Sequence, residues 1–161
     1  MFESVRNRLR ETPSTDSIGL FVDGPNVFRN EFDVDLDDLR EAVLERGRVG
    51  VIRLYLDEHA TPGLIQAAEA RGFEVVITSG DVDVKLAVDA TACVADGRID
   101  ELVIASRDTD FKPVLEYAGV EGIRTVAIAP GAHGRSDALQ NAADMAITLE
   151  GESTSRDTAE G

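Results

Sequence analysis

The sequence predicts an α/β fold built on one parallel sheet. Short apolar runs, for example residues 18–22 and 102–105, alternate with amphipathic segments of helical length. Several of these runs end directly in Asp, Gly, Pro or Asn, which are typical of turns. Strands that alternate with helices form βαβ units, in which the strands are parallel. A chain of 161 residues, 43% of them hydrophobic, is enough for one core.

The elements can be placed by periodicity and by their end residues. Strands are predicted at residues 18–22, 49–56, 73–77, 102–105 and 124–129, with a final edge strand at 145–149. The strands at 73–77 and 102–105 are expected to be buried, because they are short apolar runs. The first three helices are predicted at 35–46 with Asp35 as N-cap, from Thr61-Pro62 through Arg71, and at 82–95. A fourth helix is predicted to begin at Asp110 as N-cap, with Pro113 in its first turn. A last short helix is capped by Ser136 and contains Leu139.

Three parts follow from this layout. Residues 1–17 form an amphipathic arm and linker, residues 18–150 form the domain, and residues 151–161 form a disordered acidic tail. No apolar run approaches the roughly 18 residues that a membrane helix needs. With a single cysteine, Cys93, and no signal-peptide pattern, the sequence favours a reducing cytoplasm.

The charge balance is strongly acidic. There are 31 acidic and 16 basic residues, giving a net charge of -15, and Lys85 and Lys112 are the two lysines of the sequence. Such a surface is typical of a protein from a salty cytoplasm, and we expect a halophilic source. The charge does not exclude nucleic acid as a partner, because the local charge around a site decides binding.

Carboxylates follow two of the predicted strands. Asp23 and Asn26 come after the first strand, and Ser106, Asp108 and Asp110 come after the fourth. Open α/β sheets bind ligands beyond the carboxyl ends of their strands. If the first and fourth strands are neighbours, these carboxylates converge and repel one another, and a hard divalent cation such as Mg²⁺ or Mn²⁺ relieves the repulsion. The pattern therefore predicts a metal-dependent nuclease.

The helix at 82–95 is almost uniformly apolar, so we expect it to be covered on most sides. A carboxylate in the middle of such a helix is costly unless it is paired or binds a metal, which makes Asp89 a candidate fourth ligand. Asp83 is a weaker candidate, because an Asp near a helix start is commonly a cap.

Four motifs occur in order along the chain. They are Asp23-Gly24-Pro25-Asn26, the helix from Val82 with Asp83, Lys85 and Asp89, the turn Ser106-Arg107-Asp108-Thr109-Asp110-Phe111, and Ser136 and Leu139 followed by Ala143-Asp144. Together they resemble the NYN family of PIN-like ribonuclease domains, especially its archaeal members, over about residues 18–149.

The resemblance implies a Rossmann-like three-layer sandwich with a parallel sheet of about five strands in the order 3-2-1-4-5. It also implies metal-dependent endonuclease activity on RNA. Catalytic and metal-binding roles would fall to Asp23, Asp89, Asp108 and Asp110, with Asn26, Asp83 and Ser106 in support. The chain departs from the family at Arg107, where glycine is usual.

Basic residues lie in or beside the same segments, and we expect RNA contacts from Lys85, Arg107, Lys112 and Arg135. An alternative function is a non-catalytic RNA- or protein-binding regulatory module on the same fold. A phosphotransfer domain is ranked last, because no lysine follows the fifth strand. Whether the chain forms a homodimer is left open.

Overall fold

The fold is given by a computed structural model that describes residues 17–28, 34–131 and 137–149. Within these ranges six strands form one sheet in the order β3-β2-β1-β4-β5-β6, and all neighbouring strands are parallel. The strands are β1 (Ser17–Asp23), β2 (Arg48–Asp57), β3 (Glu74–Thr78), β4 (Glu101–Ala105), β5 (Arg124–Pro130) and β6 (Met145–Leu149). The predicted fold class and strand order are confirmed, and β6 adds the predicted sixth strand at the edge.

Helices connect these strands, and two of them begin at the predicted caps. The carboxylate of Asp35 accepts a hydrogen bond from the Asp38 amide at 2.9 Å, and Thr61 Oγ1 accepts one from the Leu64 amide at 3.2 Å. Each cap satisfies an amide that has no partner within its helix. The described helices are α1 (Gly24–Val27), α2 (Leu36–Leu44), α3 (Pro62–Ala70), α4 (Val82–Ala95), α5 (Lys112–Val120) and α6 (Asp137–Ala142).

Three local predictions are wrong. Asp110 is not an N-cap, because a short 3₁₀ turn (Thr109–Phe111) precedes α5 and the Asp108 carboxylate caps that turn through the Asp110 amide. The strand β3 is not buried, since it lies at an edge of the sheet and Ile77 is 52% exposed. Helix α4 is not covered on most sides, since Val84 and Val88 are 58% and 59% exposed.

The core lies on both faces of the sheet. On one face Ile18, Leu20 and Val22 of β1 pack with residues of α2 and α3. On the other face Phe21 packs with residues of α4, α5 and α6, and Leu102 of β4 lies in the same cluster. Successive side chains of a strand point to opposite faces, so strands covered on both sides are apolar throughout.

The central strand β1 sets the position of the site. It pairs with β2 on one side and with β4 on the other, and Val22 lies opposite Ala105 of β4. The chain therefore leaves β1 and β4 in opposite directions along the sheet, and a crevice opens beyond their carboxyl ends. Asp23 and Ser106 are the residues at this switch point.

Several predictions fall outside the described residues. These are the arm and linker up to residue 16, the cap Ser136, and the tail from residue 151. Of the helices in the described ranges, none combines the length and apolar character that a membrane crossing requires.

Gly24, the first residue of α1, is required by the close approach of this segment to β2. A Cβ atom at this position would lie 2.5 Å from the Tyr55 carbonyl oxygen and would also clash with Leu56 Cδ2. We expect Gly24→Ala to lower the free energy of unfolding by about 1–3 kcal/mol, because backbone atoms cannot move aside as a side chain can. Urea denaturation measures this difference.

Gly119→Ala is the matched control for this prediction. Gly119 lies in helix α5, and a Cβ atom added there would have no other atom of the described residues within 4 Å. Alanine should stabilise the helix by up to about 1 kcal/mol. Equal unfolding midpoints for the two variants would contradict the steric role of Gly24.

Candidate metal centre

A single hydroxyl group joins the ends of β1 and β4. Ser106 Oγ donates a hydrogen bond to Asp23 Oδ2 at 3.1 Å and accepts one from the Asp108 amide at 3.0 Å. Asp23 and Ser106 are both buried, with 6% and 1% of their surfaces exposed. The bridge therefore sets the Asp23 carboxylate at a defined place relative to the turn that carries Asp108.

The turn after β4 is held from the β1 side as well. Asn26 of α1 accepts a hydrogen bond from the Arg107 amide through its Oδ1 atom at 3.0 Å. Within the turn, Asp108 Oδ1 accepts a bond from the Asp110 amide at 2.9 Å. Two side chains from different segments thus fix the backbone on which both acids of the turn stand.

Three carboxylates from two segments meet beside this turn. One ligand oxygen each from Asp83, Asp108 and Asp110 lies within 4.8 Å of the others. Asp83 stands in the first turn of α4, while the other two follow β4. The sequence predicts only a supporting role for Asp83, whereas the structure puts it in the group.

An open cleft of about 290 Å³ lies at the switch point. Its wall contains Asp23, Asn26, Asp83 and Asp108, together with five residues that were not predicted: Pro25, Asp57, Gly80, Asp81 and Val82. The position of Asp57 at the end of β2 is a sequence signal that the strand-end rule would have caught. Asp81 is visible only in the structure, since it precedes α4 without a side-chain hydrogen bond to the helix.

Burial and charge both act on Asp23. The pKa of this carboxyl is raised to about 6, mainly by burial and to a smaller extent by the charges of Asp108 and Asp83, against hydrogen bonds from Ser106 and the Asn26 backbone that lower it. Low-dielectric surroundings and like charges both disfavour the ionised form. The acids of the cleft therefore repel one another when all are ionised.

Asp89, the predicted fourth ligand, lies outside the group of Asp83, Asp108 and Asp110 and outside the cleft wall. Its Oδ2 atom accepts a hydrogen bond from the Tyr55 hydroxyl at 2.8 Å, and its Oδ1 atom lies 3.1 Å from Lys85 Nζ. Both carboxylate oxygens therefore have partners within the protein.

The basic residues differ in what they contact. Lys85, half exposed, forms its ion pair with Asp89. Lys112 is exposed at the start of α5, and Arg107 is partly exposed in the turn between Ser106 and Asp108. Arg135 lies outside the described residues.

The donor set suits a hard divalent cation. The grouped ligands are carboxylate oxygens, and the described cleft wall contains no histidine or cysteine. Mg²⁺ and Mn²⁺ prefer such oxygen ligands, whereas protein zinc sites commonly use nitrogen or sulfur. Burial is the main cause of the raised pKa of Asp23, and the charges of Asp108 and Asp83 add a smaller part, which a bound cation would offset.

Comparison with known proteins bears on this site. The model of the NYN domain family matches residues 17–150. The chain belongs to the NYN domain family. NYN domains are a PIN-like nuclease family whose nucleases are generally metal-dependent, and this NYN chain carries a group of Asp carboxylates beyond the carboxyl end of β4.

Two further proteins resemble this NYN chain. The uncharacterized protein MJ0482 of Methanocaldococcus jannaschii is 42% identical over 150 residues, which cover 92% of this chain and 60% of that protein. A protein of unknown function from Vibrio parahaemolyticus, VPA0982, superposes with a TM-score of 0.74 at 20% identity, covering 87% of this chain and 96% of the other. The similarity to the Vibrio protein shows that the two chains share a fold. This chain spans about 60% of the length of the archaeal relative.

The raised pKa of Asp23 predicts a pH dependence of stability. The folded protein holds the proton more tightly than the unfolded chain, whose reference pKa is 3.8. Stability from this group is therefore present below about pH 4 and is lost as pH rises through about 6. Asp23→Asn removes the effect, because the amide stays neutral and can still accept the Ser106 hydrogen bond.

We expect Asp23→Asn to match the parent chain near pH 4 and to exceed it by up to about 3 kcal/mol at pH 7, where ionisation of the buried carboxyl is complete. Urea denaturation in EDTA at fixed ionic strength measures both curves. A variant that is less stable than the parent by the same amount at every pH would contradict the burial of an ionisable Asp23.

Proposed function

We propose that this chain is a metal-dependent endoribonuclease that hydrolyses RNA phosphodiester bonds at the cleft beyond β1 and β4. The observation that carries the proposal is the meeting of Asp83, Asp108 and Asp110 within 4.8 Å of one another, beside the buried Asp23. Membership of a nuclease family supports the reaction class. The cofactor we propose is Mg²⁺ or Mn²⁺.

Each proposed site residue has a role that follows from its position. Asp83, Asp108 and Asp110 offer oxygens within 4.8 Å of one another, and Asp23, which lines the cleft with Asp83 and Asp108, adds a fourth carboxylate. A divalent cation, when bound, would neutralise phosphate charge and lower the pKa of an attacking water. Ser106 and Asn26 hold the two strand ends together, so the acids are set before substrate arrives.

Asp23 is the most buried acid of the cleft. With a pKa of about 6, the Asp23 carboxyl is ionised at neutral pH, and its Oδ2 atom accepts the Ser106 hydrogen bond. The cleft then carries its full negative charge, which opposes a bare RNA phosphate. The residues of the cleft therefore favour binding of a cation, and a polyanion such as RNA can bind there only when the cation is bound.

The test of this function is cleavage of a fluorescent single-stranded RNA in the presence of Mn²⁺. Asp83→Asn and Asp108→Asn should each lower the rate at least about 100-fold, because a neutral amide is a poor substitute for a ligand carboxylate and even outer contacts of metal sites cost 10–100-fold. Asp96→Asn is the matched control, since Asp96 is exposed at the opposite end of α4.

The same variants separate the enzyme from a binding module. RNA that is bound with Mn²⁺ but left intact by the parent chain would favour the non-catalytic alternative. Cleavage that persists in Asp83→Asn and Asp108→Asn would point to a contaminating nuclease or to another site, and would overturn the proposal.

RNA approach is proposed to use Arg107 and Lys112, which stand on either side of the acids that follow β4. The double variant Arg107→Ala, Lys112→Ala should weaken RNA binding and flatten the slope of log affinity against log salt by about 0.7 for each phosphate that the protein no longer neutralises. Fluorescence anisotropy over a salt series, with an inactive Asp108→Asn background, measures both quantities.

Arg98→Ala is the control for the RNA experiment. Arg98 is exposed between α4 and β4, at the edge of the sheet opposite the cleft. It should leave the affinity and the salt slope unchanged. An unchanged slope in the double variant as well would remove Arg107 and Lys112 from the proposed RNA path.

A further inference from the structure

Helix α4 carries two carboxylates that serve different places. Asp83 belongs to the group with Asp108 and Asp110, whereas Asp89, six residues later, meets the sheet at Tyr55. At about 100° per residue the two acids lie about 120° apart around the helix, with the buried Leu86 between them. The rotation of α4 about its own axis therefore decides whether Asp83 faces the other acids.

The apolar pattern of α4 specifies that rotation only in part. Leu86 and Cys93 are buried against the core, but Val84 and Val88 are 58% and 59% exposed on the other side of the same helix. A turn of about 100° would expose Leu86 and bring Val84 toward the core, so part of the lost apolar burial would be replaced, while Asp83 would leave its group. A polar contact adds to the preference for the observed rotation.

The contact between Asp89 and Tyr55 has the required properties. The Tyr55 hydroxyl donates to Asp89 Oδ2 at 2.8 Å, and Arg53 hydrogen bonds the same hydroxyl. Burial raises the pKa of Tyr55, and the bond to Asp89 raises it further, so the hydroxyl stays protonated and remains the donor. A buried hydroxyl left without its acceptor costs more than the bond itself contributes, which makes other helix rotations unfavourable.

Tyr55 is itself fixed in the sheet next to the site. It is fully buried, its ring stacks on Phe21 with centroids 6.4 Å apart, and it lies opposite Asp23 in the register of β1 and β2. The hydroxyl therefore has a fixed position in the sheet, and a contact with it can fix the rotation of α4. Lys85, which is half exposed, covers the other oxygen of Asp89 from the solvent side.

We propose that Asp89 is a positioning residue, not a metal ligand, and that its bond to Tyr55 sets the rotation of α4 that brings Asp83 to Asp108 and Asp110. This inference rests on the proposed function for the meaning of the metal site. The two acids of this helix therefore have different roles. Asp83 supplies an oxygen to the cleft, and Asp89 orients the helix that carries Asp83.

The experiment compares conservative and truncating variants by their Mn²⁺ affinity in calorimetry. Asp89→Asn keeps an oxygen for Tyr55, so its dissociation constant should stay within about threefold of the parent value, whereas Asp89→Ala and Tyr55→Phe should each raise it about tenfold, as loss of outer contacts does. The double variant Tyr55→Phe, Asp89→Ala should be no worse than the poorer single variant, because both remove the same bond.

Two further variants complete the set. Lys85→Met tests the ion pair alone and should change the Mn²⁺ affinity little, because exposed ion pairs contribute little. Asp83→Asn shows how much Mn²⁺ affinity is lost when a proposed ligand is replaced. The proposal is overturned if Asp89→Asn loses as much Mn²⁺ affinity as Asp83→Asn while Tyr55→Phe keeps the affinity of the parent chain.

Failure of the proposed function is distinguishable from failure of this inference. If the parent chain binds no Mn²⁺, the metal-dependent function fails, and crystal structures of the parent and of Tyr55→Phe in EDTA decide the positioning role. The inference requires the Asp83 carboxylate to move away from Asp108 in Tyr55→Phe. An Asp83 side chain that stays in place would overturn it, with or without a metal.

Discussion

The hydroxyl of Ser106 is the contact on which the site depends. It lies between the Asp23 carboxylate and the Asp108 amide, and so it joins the ends of two strands through residues that are 83 positions apart in the chain. The contact exists because β1 and β4 are neighbours in the sheet. With these two ends held together, the turn that carries Asp108 and Asp110 has a fixed position relative to β1, and α4 adds Asp83 from the side.

Hydrogen bonds within the protein organise the site. Backbone and side-chain hydrogen bonds from Ser106, Asn26 and the Asp110 amide hold the strand ends and the turn. Burial raises the pKa of Asp23, and the charges of Asp108 and Asp83 contribute to the same shift. A scaffold that keeps like charges close creates a strong preference for a cation, because binding relieves a repulsion that the fold prevents from relaxing.

The net charge of -15 is compatible with the proposed RNA substrate because basic residues lie near the cleft. Arg107 and Lys112 flank the acids after β4, whereas Lys85 is paired with Asp89 on the same helix as Asp83. Among the basic residues near the cleft, Lys85 is thus held in an ion pair, whereas Lys112 is exposed at the start of α5. Long-range repulsion from the remaining acidic surface falls with salt, since screening acts within a Debye length.

The amino-acid sequence alone specified the elements and the edge of the sheet at which the acids stand. Strand apolarity and the caps at Asp35 and Thr61 are local features, and Asp23 and Asp108 follow from the strand-end rule. The choice between Asp83 and Asp89 needed the folded chain. Helix α4 is apolar on nearly every side, so its sequence lacks the period that would show which face meets the sheet. In the folded chain Asp83 lies beside Asp108 and Asp110, whereas Asp89 contacts Tyr55 of β2.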